Sequence, residues 1–262
     1  MFLIIYKIGF LSTMRNIYNG AGTPLRIVSQ MKTVAIALLS LAFTGCATQK
    51  FAPVLVSGKT VVFQGLIYAS VADEFVRAVE QHGANRVLIA SGGGHVAPAL
   101  RMAQVIHDRG MDVEVFGQCF SSCANYIFPA GKNKSITGLG LVGWHGNMQH
   151  LLYLHRTGKA PLVGVWLEEV TTLAAREAEF YKTIGVDSFV TWFGKLAPYN
   201  VRDMYFLAPH DMDRFGLHNV AARADYAQTD LAPYNASGVE KVRFVEVHWD
   251  SLRAPLSESS TP

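Results

Sequence analysis

The sequence lacks the features that would carry it across a membrane or bind it to a nucleic acid. No stretch of its 262 residues reaches the roughly 20 consecutive apolar residues that a membrane-spanning helix needs. The 23 Lys and Arg residues barely exceed the 20 Asp and Glu residues, and they form neither a run nor a stripe with interleaved aromatics. A nucleic-acid partner is therefore not expected. Internal repeats are also missing, and the 50% apolar content is typical of a globular protein with one or two domains.

Cysteine is scarce, with three residues: Cys46, Cys119 and Cys123. The first ends the stretch MKTVAIALLSLAFTGC, which begins at Met31 and has a lysine, an apolar segment and then small residues. This pattern resembles a bacterial lipoprotein signal, in which the cysteine is acylated and becomes the new N-terminus. A simple secretory signal with a chance cysteine is the alternative. The resemblance implies a periplasmic protein that a lipid anchors to the membrane, and Ala47 after the cysteine favours the outer membrane.

The signal sets the expected boundaries along the chain. Residues 1–30 have no place before such a signal, so we interpret Met31 as the true start. The tail ends in SESSTP, a polar stretch that favours disorder. We therefore expect a signal at 31–46, a tether at 47–57, a single folded domain at 58–250 and a disordered tail at 251–262.

The other two cysteines frame the middle of GQCFSSCANY, residues 117–126. In an oxidising compartment a disulfide can persist, and cysteines four apart can be bridged if a turn brings their Cα atoms within about 7 Å. A redox role is the alternative, but Cys-x-x-x-Cys is not the Cys-x-x-Cys spacing of thiol oxidoreductases. A structural disulfide between Cys119 and Cys123 is therefore favoured.

Apolar periodicity predicts short strands that alternate with helices. Alternation of this kind predicts an α/β fold with a mostly parallel sheet covered by helices. Right-handed crossovers place the loops that follow the strands at one edge of the sheet, so SGGG at 91–94 and the turn at 117–122 should lie side by side. Strands are expected at 60–67, 86–90, 112–116 and about 135–142, and helices at about 70–79, from 96 to a stop at Gly110, at 122–128 and at 165–184.

Three features of these loops carry chemistry. The glycines of SGGG expose backbone N–H groups that can hold a phosphate or an oxyanion, although a plain tight turn fits equally well. Ser121 and Ser122 lie at a strand-to-helix turn, which can present a nucleophile, although serine is also a common N-cap. His145 follows a strand and can act as a general base for a serine, with a structural histidine as the alternative.

Together these segments resemble the Clp peptidase branch of the Clp/crotonase superfamily, and in particular its secreted periplasmic relatives. The similarity runs from about Thr60 to Val220. IASGGGHV at 89–96 is similar to the Clp pattern Ile-Asn-Ser-Pro-Gly-Gly-Ser-Val, with Gly92 in place of the proline. The other similar segments are GQCFSSCANYIFPAG at 117–131, LVGWHG at 141–146, where the family bears its histidine, and VRDMYFLAPHDMDRFGLHNV at 201–220, where it bears its aspartate. The resemblance implies repeated β-β-α units.

The family pattern leaves two registers for the nucleophile. Counted from Gly117 it falls on Ser121, whereas counted back from the Ala-Gly at 130–131 it falls on Ser122. We prefer Ser121, because the preceding strand sets the turn geometry and an extra residue is easier to absorb at the helix end.

The resemblance implies a Ser-His-Asp hydrolase with Ser121 as its nucleophile. Gly93 and Ser122 would then donate their backbone N–H groups to the oxyanion. His145 would be the general base, and Asp203 would orient its imidazole and stabilise the charged form.

We therefore predict a membrane-tethered periplasmic serine hydrolase, a peptidase with a polypeptide substrate and no cofactor; homo-oligomerisation is left open. The alternative is a non-catalytic binding or scaffold protein on the same fold, using the cleft or the 165–184 helix for a protein partner. A crotonase-type acyl-CoA enzyme is disfavoured, because that cofactor is cytoplasmic. No metal site is expected, since His145, His150 and His155 recur every five residues and so spread around a helix.

Overall fold

The structure is a computed structural model that describes residues 53–235, 241–250 and 252. The described residues form one mixed sheet of nine strands. The strands are β1 (Val54–Ser57), β2 (Thr60–Gln64), β3 (Arg86–Ser91), β4 (Asp112–Phe120), β5 (Lys134–Ile136), β6 (Leu141–Trp144), β7 (Tyr205–Phe206), β8 (Val220–Ala222) and β9 (Arg243–Phe244).

The described helices follow the strands in the expected alternation up to β4. They are α1 (Ala69–His82), α2 (Val96–Asp108), α3 (Phe128–Ala130), α4 (Met148–Arg156), α5 (Val165–Ile184) and α6 (Pro209–Arg214), with a π-helix at Cys123–Ile127 that leads directly into α3. Short 3₁₀ helices occupy Ser188–Thr191, Phe193–Lys195, Tyr226–Gln228 and Ala232–Tyr234.

The sheet order is β1-β2-β3-β4-β6-β7-β9, and β5 lies off this path between β4 and β8. Strands β2, β3, β4 and β6 run parallel as neighbours, whereas β1 pairs with β2 and β7 with β6 in antiparallel fashion. The prediction of an α/β fold with a mostly parallel sheet is thereby confirmed. Val87 and Ile89 on β3 are fully buried, as are Val61 and Phe63 on β2, so one face of the sheet lies in the core.

The strand predicted at about 135–142 is in fact two strands. The first half of β4 pairs with β5 and its second half with β6, because β4 is nine residues long and passes both partners. A turn separates β5 from β6, and in it the Gly140 N–H donates to the Thr137 carbonyl at 2.8 Å. The longer β4 also carries the candidate nucleophile turn further along the sheet than a strand ending at Phe116 would.

The tether predicted at 47–57 is wrong in its last four residues. Val54–Ser57 forms β1, which pairs with β2 across a two-residue turn at 58–59. Val54 is buried by this pairing, and Gly58 supplies the positive φ that such a tight hairpin turn favours.

The predictions for the N-terminal signal concern residues outside those that the structure describes. These are the start at Met31, the signal at 31–46 and lipidation of Cys46; nearly all of the tail at 251–262 also lies outside. Among the described residues, no helix combines the length and apolarity that crossing a membrane would require.

Candidate active site

The loops after β3, β4 and β6 meet at the carboxyl edge of the sheet. These three strands are parallel neighbours, so their carboxyl ends share one edge. The Ser121 N–H extends the pairing, since it donates to the Gly143 carbonyl on β6 at 3.2 Å. His145 lies two residues beyond Gly143. The fold therefore brings the predicted nucleophile turn and the predicted base onto adjacent strand ends.

Ser121 has an unusual backbone for a residue with a side chain. Its φ is +57°, in the left-handed region that non-glycine residues seldom adopt. It stands between the end of β4 and the π-helix, and it is partly exposed. A serine held in a strained turn between a strand and a helix is how several hydrolases present their nucleophile.

Ser122 occupies a different environment. It is 3% exposed, its φ is −59°, and its hydroxyl donates to the Gly94 carbonyl at 2.8 Å. This hydroxyl connects the helix start to the glycine loop. The geometry therefore favours Ser121 over Ser122 as the nucleophile candidate.

The glycine loop packs directly on the turn of Ser121. Gly93 has a φ of +88°, and a Cβ atom there would lie 2.6 Å from the Phe120 carbonyl oxygen and 2.8 Å from the Ser122 nitrogen. Only a glycine permits this approach. The N–H of Gly93 donates to the buried Ser91 hydroxyl at 3.0 Å, so this predicted oxyanion donor already has a partner.

The structure contains the predicted disulfide between Cys119 and Cys123, with Cα atoms 5.1 Å apart. Both cysteines are fully buried, and the bond encloses Ser121 and Ser122. Closing such a short loop raises the free energy of unfolding by about 2 kcal/mol, because the bond restricts the unfolded chain. The bond joins the end of β4 to the start of the π-helix and so constrains the turn.

The structure also brings His145 and Asp203 together, although 58 positions separate them in the sequence. Trp144 pairs with Tyr205 in the antiparallel β6–β7 ladder, so residues just after Trp144 lie beside those just before Tyr205. Burial lowers the pKa of His145 to about 4, and the charge of Asp203 opposes that effect while Lys195 adds to it. Asp203 itself is exposed.

Two further groups interact with His145 that the sequence did not predict for this site: Lys195 and His150. The Lys195 ammonium donates to the Arg202 and Asp203 carbonyls at 2.8 and 2.9 Å, and burial lowers its pKa to about 8. His150 is 7% exposed and stacks on Trp192, and burial lowers its pKa to about 4. No local pattern marks Lys195, because tertiary folding alone brings its 3₁₀ turn close to β6.

A buried acidic residue, Glu177, connects the start of α4 to the π-helix that follows the Ser121 turn. Glu177 on α5 is fully buried and accepts the backbone N–H groups of Met148 at 3.1 Å and Gln149 at 3.3 Å, at the start of α4. It also accepts the hydroxyl of Tyr126 on the π-helix. Burial raises the pKa of Glu177 to about 7, and these hydrogen bonds oppose the rise. The sequence predicted α5, but an acidic residue on its inward face gave no sign of this role.

A cleft of about 810 Å³ lies at the other edge of the sheet, beside the amino ends of β3, β4, β5 and β8. Several of its charged side chains already have partners: Arg86 pairs with Glu114, the Lys134 ammonium donates to the His218 carbonyl at 3.0 Å, and Asp213 accepts from the ring of His218. The cleft is remote from Ser121, and we assign the candidate site to the carboxyl edge on its chemistry.

No protein-family model matches this sequence, and comparison with curated proteins found no match either.

Proposed function

We propose that the protein is a periplasmic serine hydrolase, a peptidase on a Clp/crotonase-like fold, tethered to the membrane through a lipid on Cys46. The observation that carries the proposal is the positive φ of Ser121 at a strand-to-helix turn. That turn lies against the glycine loop and beside the strand that leads to His145. The order of the Clp-like motifs along adjacent strand ends supports the finer fold assignment.

In the proposed reaction, the Ser121 hydroxyl attacks the carbonyl carbon of a peptide bond and His145 accepts its proton. With its pKa lowered to about 4, His145 is neutral near pH 7 and so available as an acceptor. The carboxylate of Asp203 stabilises the imidazolium that forms, since its charge raises the pKa of His145. His145 then donates the proton to the leaving amine, and water releases the acyl group from Ser121.

The developing oxyanion is stabilised by the N–H groups of Ser122 and Gly93. The N–H of Gly93 donates to the Ser91 hydroxyl, so it must exchange that partner for the oxyanion as the reaction proceeds. The Gly93 backbone lies against both Ser121 and Ser122, and this proximity supports the proposal that the two N–H groups act together.

A second candidate is a non-catalytic binding or scaffold protein on the same fold. The bond from the Gly93 N–H to Ser91 and the exposure of Asp203 favour it, because both differ from an assembled triad with an open oxyanion hole. It predicts that Ser121→Ala and His145→Ala leave a cellular phenotype intact, whereas changes on the exposed face of α5, such as Arg176→Glu, remove it.

A fluorophosphonate probe tests the proposed function on the mature protein. We expect covalent labelling of the wild type, at least tenfold less labelling of Ser121→Ala, and labelling of Ser122→Ala within a few-fold of wild type. Mass spectrometry of the labelled peptide should place the adduct on Ser121. Labelling that is absent, or that persists in both variants, would contradict the proposal.

A further inference from the structure

Asn125 connects the two segments that carry the proposed nucleophile and base. It lies on the π-helix and is 3% exposed. Its backbone N–H donates to the Ser121 carbonyl at 2.8 Å. Its side-chain Nδ2 donates to the carbonyl of Gly146 at 2.9 Å, and Gly146 directly follows His145. One residue therefore bonds to the serine turn through its main chain and to the histidine loop through its side chain.

The Gly146 peptide is held from both sides. Its N–H donates to the Thr191 carbonyl at 2.8 Å, while its carbonyl accepts the amide of Asn125. A Cβ atom on Gly146 would lie 2.6 Å from Nδ1 of His150, so the loop also packs tightly against α4. Of the two hydrogen bonds at Gly146, the one from Asn125 is the bond that reaches back to the serine turn.

The amide of Asn125 is an unfavourable choice for packing alone. Its Oδ1 atom is buried and has no hydrogen-bond partner among the described residues. An aliphatic side chain of similar volume would avoid leaving that oxygen unpaired. A residue that breaks a local rule in this way is often explained by function. The hydrogen bond of the side chain comes from Nδ2 and goes to Gly146 in the loop of His145. Binding this loop is therefore the role that accounts for an amide at position 125.

We propose that Asn125 is a positioning residue that sets the location of the His145 loop relative to the Ser121 turn. This assignment rests on the proposed hydrolase function. The side-chain amide of Asn125 donates to the Gly146 carbonyl, and its backbone N–H donates to the Ser121 carbonyl. The segments that carry the two proposed catalytic side chains are therefore bonded to the same residue. Loss of the amide frees the loop to move away from the serine and toward solvent.

The variant Asn125→Leu removes the amide at similar volume. The matched control is Tyr181→Phe, which removes a second buried hydrogen bond to Asn125, from the Tyr181 hydroxyl to its carbonyl, and leaves the bond to Gly146. Three measurements on the mature protein are needed: thermal unfolding, the rate of fluorophosphonate labelling, and an NMR titration of the His145 imidazole, assigned with His145→Gln. If Asn125→Leu does not fold, Asn125→Ala takes its place, because it also lacks a donor to Gly146 and introduces no charge near His145.

In the Asn125 variant we expect labelling to slow at least tenfold and the midpoint of the His145 titration to rise by at least one pH unit from about 4. Tyr181→Phe should change the labelling rate less than twofold and leave the midpoint in place. A folded Asn125 variant with the wild-type rate and titration overturns the proposal, as does an equal effect in Tyr181→Phe. If the wild type takes up no probe, the hydrolase function fails, whereas the titration still decides whether Asn125 holds the His145 loop.

Discussion

Ser121 and Ser122 are adjacent and chemically identical, but their backbones lie in different regions of the Ramachandran plot, with φ of +57° and −59°. The buried Ser122 hydroxyl makes a hydrogen bond to Gly94 that supports the fold. Ser121 adopts a strained conformation in a partly exposed position. The sequence left two registers for the nucleophile, because serine gives no local signal for positive φ. The conformation of the turn supports the first register.

This contrast predicts opposite effects of glycine at the two positions. Ser121→Gly relieves the positive-φ strain, which offsets the entropy that glycine adds to the unfolded chain. We therefore expect its free energy of unfolding to stay within about 0.5 kcal/mol of wild type or to rise. Ser122→Gly loses a buried hydrogen bond and adds that entropy without relief, and should lower the free energy of unfolding by about 1–2 kcal/mol. Urea unfolding monitored by circular dichroism measures both, and equal destabilisation would show that Ser121 is not strained.

At the scale of elements, the candidate site depends on how α4, α5 and the π-helix are joined. Apolar spacing predicted α5 at the bounds observed, because a repeating stripe is a local property of the sequence. It could not predict that Glu177 on this stripe accepts the first backbone N–H groups of α4 and the Tyr126 hydroxyl. Those partners lie 28 to 51 residues away, so only the packing of the three elements brings them together.

Glu177 predicts a dependence of stability on pH. Its pKa is raised from 4.5 to about 7, mainly by burial, so the fold disfavours the ionised form. The contribution of Glu177 is therefore fully present below about pH 4.5 and is lost as the pH rises through 7. Between pH 5 and 8 the wild type should lose on the order of 2 kcal/mol relative to Glu177→Gln. Among the described residues, this carboxylate interacts with the hydroxyl of Tyr126, the phenol of Tyr181 and the N–H groups of Met148 and Gln149.

Urea unfolding at several pH values measures the difference between wild type and Glu177→Gln. The control is Glu179→Gln on the exposed face of the same helix, which should follow the wild-type pH dependence. A difference between Glu177→Gln and wild type that stays constant with pH would contradict the prediction.

At the scale of the whole molecule, the candidate site is assembled from four distant parts of the chain. The glycine loop, the Ser121 turn and the His145 loop follow parallel neighbouring strands, and Asp203 joins them through the antiparallel β7. The order of these strands is a property of the complete sheet. Right-handed crossovers predicted that the first two loops would be neighbours, and the structure places the Gly93 backbone against the Ser121 turn.

The proposed lipid anchor also belongs to this scale, because it determines where the folded domain acts. We expect the wild type to sediment with membranes and to incorporate labelled palmitate at Cys46. Cys46→Ser should move most of the protein out of the membrane fraction and abolish the label, while Cys119→Ser should leave palmitate incorporation intact. Palmitate incorporation that persists unchanged in Cys46→Ser would rule out lipid anchoring at this residue.

The sequence by itself determined the strands β2 and β3, the helices α1, α2 and α5, the mostly parallel sheet and the pairing of Cys119 with Cys123. Each of these follows from local periodicity, from crossover handedness or from a short spacing. The tertiary structure decided the backbone of Ser121, the burial of Glu177, and the gathering of Asn125 and Lys195 around the His145 loop. These features depend on contacts between residues far apart in the chain, and such contacts form only when the loops and helices pack around the carboxyl edge of the sheet.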